Sequence, residues 1–283
     1  MKKRNLFNRR EFLEASVGVG PVLLTHLNIR PVSAGPASPA SEKMRPRILE
    51  LDLATAAPLA EMRDFYHGKL GFELIESGSD YLRFRAGLSE LTFRSSGSEK
   101  GAPFYHFAFN IPENKIVEAL HWQMERTPII PVPETLRDGK YSPEIVNYSH
   151  WNAHSVFFFD PAQNVVEYIA RHDLKNARRG AFETGDILYA SEIGFVVDDV
   201  ALAAKQVAEA VGCAFYRGTS DVFTPVGDEH GLLLIMKRGR SLSLASPQKK
   251  EASVFKTRAV VQGLRSAEQS FPGFPYDIEI KAA

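Results

Sequence analysis

Residues 152–170 read NAHSVFFFDPAQNVVEYIA, and this stretch decides the fold. Residues 155–159 are a short apolar, aromatic run without Gly or Pro, the composition of a buried strand. Asp160, Pro161 and Asn164 then supply turn chemistry. Asp and Asn side chains bond their own backbone, and Pro presets φ. Residues 165–170 resume as a second strand. The product is a hairpin whose apolar second strand carries one acid, Glu167. A carboxylate buried there needs a partner or a metal, because an unpaired buried ion costs about several kcal/mol.

Working outward, the hairpin closes a longer pattern that recurs. Residues 47–55 alternate as a strand. Leu59, Met62, Phe65, Tyr66 and Leu70 follow helical spacing, with Gly71 placed as its C-cap. Residues 72–76, 81–85 and 90–95 read as three short strands separated by Gly/Ser turns. This is one βαβββ unit. A second begins with the strand 105–111 and the helix 113–126, continues through strands near 128–133 and at 155–159, and ends at 165–170. Its long irregular segment, 133–151, carries Tyr141, Tyr148, His150 and Trp151, side chains suited to covering a pocket. A third unit runs from the strand 191–197 through a helix ended by Gly212 to strands at 213–217, 221–226 and 232–237. The last segment offers two strands, 253–263 and 276–280, and no helix. The expected fold class is α+β, with repeated βαβββ units.

The chain is 283 residues long and 44% hydrophobic, enough for a large core and one or two domains. Its 34 basic and 34 acidic residues cancel, which argues against a nucleic-acid or anionic-membrane partner. Residues 1–40 read as a leader. A basic start precedes a moderately apolar run at 15–27, too short for a membrane span, then Val32-Ser33-Ala34 and a Pro/Ala/Ser spacer. Arg9-Arg10 followed by Phe12-Leu13 resembles the twin-arginine signal, which implies export in the folded state to a periplasmic or other extracytoplasmic space. The lone cysteine, Cys213, excludes an intramolecular disulfide and reads as a small core residue.

The hairpin pattern hydrophobic-Phe-x-Asp-Pro-x-x-Asn-x-hydrophobic-Glu, with FYHGKLGFEL at 65–74, resembles the vicinal oxygen chelate superfamily. That superfamily holds glyoxalase I, extradiol ring-cleaving dioxygenases and the fosfomycin and bleomycin resistance proteins. It usually has Gly where this chain has Gln163. The resemblance implies that the units pair into half-open mixed-sheet barrels, with units one and two, residues 46–172, as one paired domain and a third unit at 186–283. It also implies that the first and last strands of each unit point one residue at a shared metal. In the second unit those positions are His106 and Glu167. Alternation puts His106, Ala108 and Asn110 on one face, and the small Ala108 leaves space beneath a ligand. In the first unit the matched position is Glu50, with Asp52 on the same face as an alternative, and Thr92 holds the last-strand position.

The implied ligand set is therefore Glu50, His106 and Glu167. One imidazole and two carboxylates suit divalent Mn, Fe, Ni, Co or Zn without selecting among them. His154, beside Glu167's strand, is the candidate acid/base residue or a substitute second His ligand. Glu192 holds the first-strand position of the third unit, which otherwise reads as a structural or dimerising module without a metal and leaves a homodimer open. Two functions fit. One is a metal-dependent enzyme of glyoxalase or dioxygenase type acting on a small substrate with vicinal oxygens. The other is a non-catalytic protein that binds a drug or aromatic ligand on the same fold.

Overall fold

The computed structural model describes residues 45–97, 101–242 and 250–283; the expected leader, 1–40, lies outside them. The first unit comprises β1 (Arg47–Thr55), helix α1 (Leu59–Arg63), β2 (Glu73–Ser77), β3 (Tyr81–Ala86) and β4 (Ser89–Ser95). Helix α1 widens at once into a looser coil over Asp64–Lys69, where Leu70 N–H reaches back to Phe65 O at 3.0 Å. Gly71 follows at φ 74°, the left-handed stop expected there. The second unit comprises β5 (His106–Ile111), α2 (Ile116–Met124), β6 (Val146–Tyr148), β7 (Ala153–Phe159) and β8 (Val165–Arg171). The third comprises β9 (Tyr189–Val197), α3 (Val200–Val211), β10 (Phe223–Asp228) and β11 (Gly231–Lys237). The chain closes with β12 (Thr257–Gly263), β13 (Ala267–Ser270) and β14 (Tyr276–Ala282).

These strands form two seven-stranded mixed sheets, ordered β13-β14-β12-β1-β4-β3-β2 and β10-β11-β9-β5-β8-β7-β6. In each sheet a unit's first strand lies parallel to its own last strand, β1 to β4 and β5 to β8. Its other edge is taken antiparallel by another first strand. The takers are β12 for β1 and β9 for β5. This corrects the expected domain pairing of 46–172. Unit two shares its sheet with unit three, and unit one shares its sheet with the C-terminal strands, which act as a fourth unit without a helix. Each first strand offers the same kind of open edge, so local alternation does not select the partner; packing across the molecule does. Two expected strands shrink to single bridges, Ile129↔Phe158 and Phe215↔Val226.

The two motifs behind the resemblance meet in the core. Phe65 and Tyr66 are buried, and Tyr66 donates its hydroxyl to Asp160 Oδ2 at 2.7 Å. Asp160 also accepts Asn164 N–H at 2.8 Å and the Asn164 amide at 2.7 Å, while Asn164 Oδ1 accepts Tyr105 N–H at 2.8 Å. Burial pushes the Asp160 carboxyl up to about 6 against these donors. The turn is thus pinned to the helix of one unit and the first strand of another. Gln163 sits in it at φ 65°, the left-handed position that explains why glycine is usual there. In the third unit, Asp199 caps α3 through Leu202 N–H at 2.9 Å, and Gly212 ends it at φ 78°. Cys213 is half-buried against the same core, and burial raises its thiol to about 12, so it is no nucleophile.

Candidate metal centre

The hairpin register places the site. Phe157 lies opposite Glu167, and Ala108 lies opposite Glu167 on one side and Glu192 on the other. Directly opposed residues share a sheet face, as do residues two apart. His106 therefore stands on the face that carries Glu167, Glu192 and Arg171. A bulge in β9, where the register slips between Ala108 and Phe109, adjusts the aim of this edge. Ala108 is the floor between the two acids.

His106 Nδ1 faces Val165 O at 3.0 Å. A carbonyl only accepts, so Nδ1 carries the proton and Nε2 is left toward the acids. Nε2 lies 3.4 Å from Glu167 Oε2 and 3.7 Å from Glu192 Oε2. One ligand atom from each residue lies within 4.8 Å of the others. Ligands at about 2.1 Å from one tetrahedral ion stand roughly 3.4 Å apart, so this spacing fits a single divalent ion.

Both acids are 2% exposed. Glu192 is bound by Arg171, whose Nη2 donates to Glu192 Oε1 and whose Nε donates to Asn110 Oδ1 at 3.2 Å. Glu167 has no such cation. Burial, then the neighbouring Glu192 charge, push its carboxyl up to about 8, with His106 opposing. For His106 burial pulls the other way, but the bond to Glu192, the two carboxylate charges and the Val165 carbonyl outweigh it and raise the imidazole. Glu167 Oε1, Ser155 Oγ and Arg171 Nη1 are buried without a hydrogen-bond partner. Buried polar atoms are almost always satisfied. Orphans on one sheet face beside two acids and an imidazole fit a divalent cation and its bound water.

The remaining expectations divide. His106 and Glu167 come together, while Glu50 does not join them and the third acid is Glu192. Glu50 sits on β1 in the other sheet, held by Arg258 at 3.2 Å and Lys281 at 3.4 Å. Its carboxyl falls below the usual range because these partners outweigh burial. Asp52, the alternative, is clamped by Arg94 at 2.8 Å. Thr92 is buried in that same sheet, away from the acids. His154 is on the wrong face. It opposes Ala170, three residues and so an odd step from Glu167. It bonds Asp138 Oδ2 at 3.0 Å and His172 Nε2 at 2.7 Å beneath the Tyr141 ring, and touches none of the ligands.

Only the end of the segment 133–151 reaches the site, through Tyr148 and Trp151, while Tyr141 packs on His154 at the other face. Trp151 is buried over Arg171, with its ring 5.5 Å from the guanidinium, and Tyr216 lies 5.9 Å away. The Tyr148 hydroxyl feels both acids, which with burial raise it well above its usual range. Among the described residues no helix is long and apolar enough to cross a membrane.

No protein-family model and no curated protein matches the chain. Solved structures do. A Bacillus subtilis protein put forward as a dioxygenase superposes over 86% of each chain at 14% identity, with a TM-score of 0.53. Glyoxalase I from Zea mays superposes over 83% of this chain and 92% of its own, at 14% identity and a TM-score of 0.45. Of these two the first exceeds 0.5, and it speaks for the fold of repeated βαβββ units and nothing finer.

Proposed function

We propose that the protein is a metal-dependent enzyme of glyoxalase or dioxygenase type, acting on a small substrate with vicinal oxygens. His106, Glu167 and Glu192 would hold one divalent ion from the set Mn, Fe, Ni, Co and Zn. The observation that carries this reading is the convergence of three ligand atoms beside an unpartnered Glu167 oxygen. When bound, the ion would supply Lewis-acid stabilisation of a substrate oxyanion. The chain's own part is to orient and to exclude water. Val165 fixes the His106 tautomer, Arg171 keeps one Glu192 oxygen occupied and leaves the other for the ion, and Trp151 closes the space over Arg171. Metal analysis of gently purified protein should find about one divalent ion per chain. His106→Ala and Glu167→Ala should each lower that occupancy by at least tenfold, while Glu50→Ala should leave it unchanged. Equal metal content in all four proteins would refute the assignment.

The alternative is a non-catalytic protein that binds a drug or aromatic ligand. The aromatic walls around His106, with the Phe157 ring 6.2 Å away, favour it. An apo protein that binds aromatic ligands equally well after His106→Ala supports this second reading.

We also infer export through the leader at 1–40, from Arg9-Arg10 and the small-residue site before Gly35. Mass analysis of the exported protein should show a start near Gly35. Intact Met1 on exported material would exclude the leader.

A further inference from the structure

Asn110 is a fully buried amide on β5, two residues beyond Ala108 and on the same sheet face as the metal centre. It bridges units two and three. Its Nδ2 donates to Tyr189 Oη at 3.1 Å and to the Glu229 carbonyl at 2.8 Å. A carbonyl only accepts, so the amino end of the amide must face Glu229. Oδ1 is then left toward Arg171, whose Nε donates to it at 3.2 Å.

The acceptors that orient this amide are themselves held. Tyr189 lies opposite Asn110 across the β5–β9 pair, and its hydroxyl faces His230 Nδ1 at 3.1 Å. Glu229 sits in the turn between β10 and β11. Its carboxylate accepts the Tyr216 hydroxyl at 3.1 Å and Arg217 Nη2 at 3.0 Å, and the next residue's N–H donates to Asp228 Oδ1 at 2.8 Å. The third unit therefore aims Asn110 as well as supplying Glu192.

What the amide does follows from the shape of a guanidinium. Its Nε–H and one Nη2–H project from the same edge, and a carboxylate facing that edge tends to take both, one on each oxygen. Here the edge is divided. Nη2 donates to Glu192 Oε1, and Nε donates to Asn110 Oδ1. Glu192 Oε2 is turned toward His106 Nε2 at 3.7 Å. A two-pronged pair would engage both Glu192 oxygens and withdraw that ligand atom from an ion.

We propose that Asn110 is a positioning residue of the metal centre, which occupies Arg171 Nε, denies the guanidinium a two-pronged grip on Glu192, and so keeps Glu192 Oε2 for the ion. This rests on the metal-centre reading above. Zinc affinity of the full chain, measured by competition with a chromogenic chelator, tests it. The proteins are wild type, Asn110→Leu, Tyr189→Phe, Glu192→Gln, and the last combined with each of the other two. Asn110→Leu should weaken zinc binding at least about tenfold, the range for an outer partner of a metal ligand. Tyr189→Phe removes one of the two acceptors that orient the amide and should weaken it at least about threefold. In the Glu192→Gln background both losses should shrink to within about twofold, because the grip they release has no carboxylate to close on. A purely structural role would leave the losses undiminished there, and that result overturns the proposal. Affinity of Asn110→Leu within about twofold of wild type overturns it too. Should Asn110→Leu fail to fold, Tyr189→Phe and its Glu192→Gln double variant decide by the same criteria. If wild type itself binds no zinc, the metal-centre reading fails and the proposal falls with it, whereas tight wild-type binding with unchanged variants strikes the proposal alone.

Discussion

Arg171→Met should cost the fold about 3–5 kcal/mol, the penalty for stripping the partner from a buried ion pair. Arg171 is 1% exposed and carries Glu192, which is 2% exposed. Methionine fills much of the same volume beneath Trp151, so the loss reports the charge more than the packing. The variant leaves Glu192 beside Glu167 with only the His106 imidazole to offset them. Adding Glu192→Gln to Arg171→Met should recover more than half of the loss, because the stranded charge disappears. Urea unfolding of the four proteins in the presence of EDTA measures the cycle. A loss below about 1 kcal/mol for Arg171→Met, or no recovery in the double variant, would show that the pair does not carry this weight.

The metal-free protein should lose stability as pH rises, and metal should reverse the trend. Glu167 is pushed up to about 8, from an ordinary value of 4.5, by burial and then by Glu192. His106 is raised as well, its bonds and charges overcoming burial. Groups whose folded pKa lies above the unfolded one hold protons that the unfolded chain releases. Their stabilising contribution is complete below the unfolded pKa and is lost as pH climbs through the folded one. For Glu167 that window runs from about 4.5 to about 8, and His106 adds to its upper part. Between about pH 5.5 and 8.5 the apo protein should therefore fall by a few kcal/mol. A bound ion replaces those protons, so its affinity and the Tm of the loaded protein should rise over the same range. Thermal scans with EDTA and with excess Mn make the comparison. Asp160 titrates alike in both series and drops out of the difference. Parallel curves in the two series would show that the ion does not bind at these protons' sites.

Much of this was legible where the physics is local. The Asp160–Asn164 turn and the strands β1, β5 and β9 are written in a few neighbouring residues, and the structure reproduces them with small shifts at their ends. His154 illustrates a parity that was readable and misjudged. Once Phe159 pairs with Val165, Phe157 must face with Glu167 and His154 must face away. Glu192 illustrates what local pattern does not contain. It occupied the first-strand position of its unit, but its relevance depended on β9, and not β1, lying along β5. That choice is made by packing among distant segments. β13 escaped notice because three of its four residues, Ala267–Ser270, are polar and the strand alternates between partial and full exposure.

The crossed pairing of the units also has a consequence for the newborn chain. β5 meets β9 across about 83 residues, whereas β1 waits for β12 over about 208. On the ribosome the strands carrying His106, Glu167 and Glu192 are all available while β1 still shows a bare edge. Such an edge in a half-made protein is an invitation to intermolecular pairing. The C-terminal strands contribute no ligand to the centre, yet they act as its late-arriving chaperone. Shortening the chain from that end would strike soluble yield before it touched a single atom around the metal.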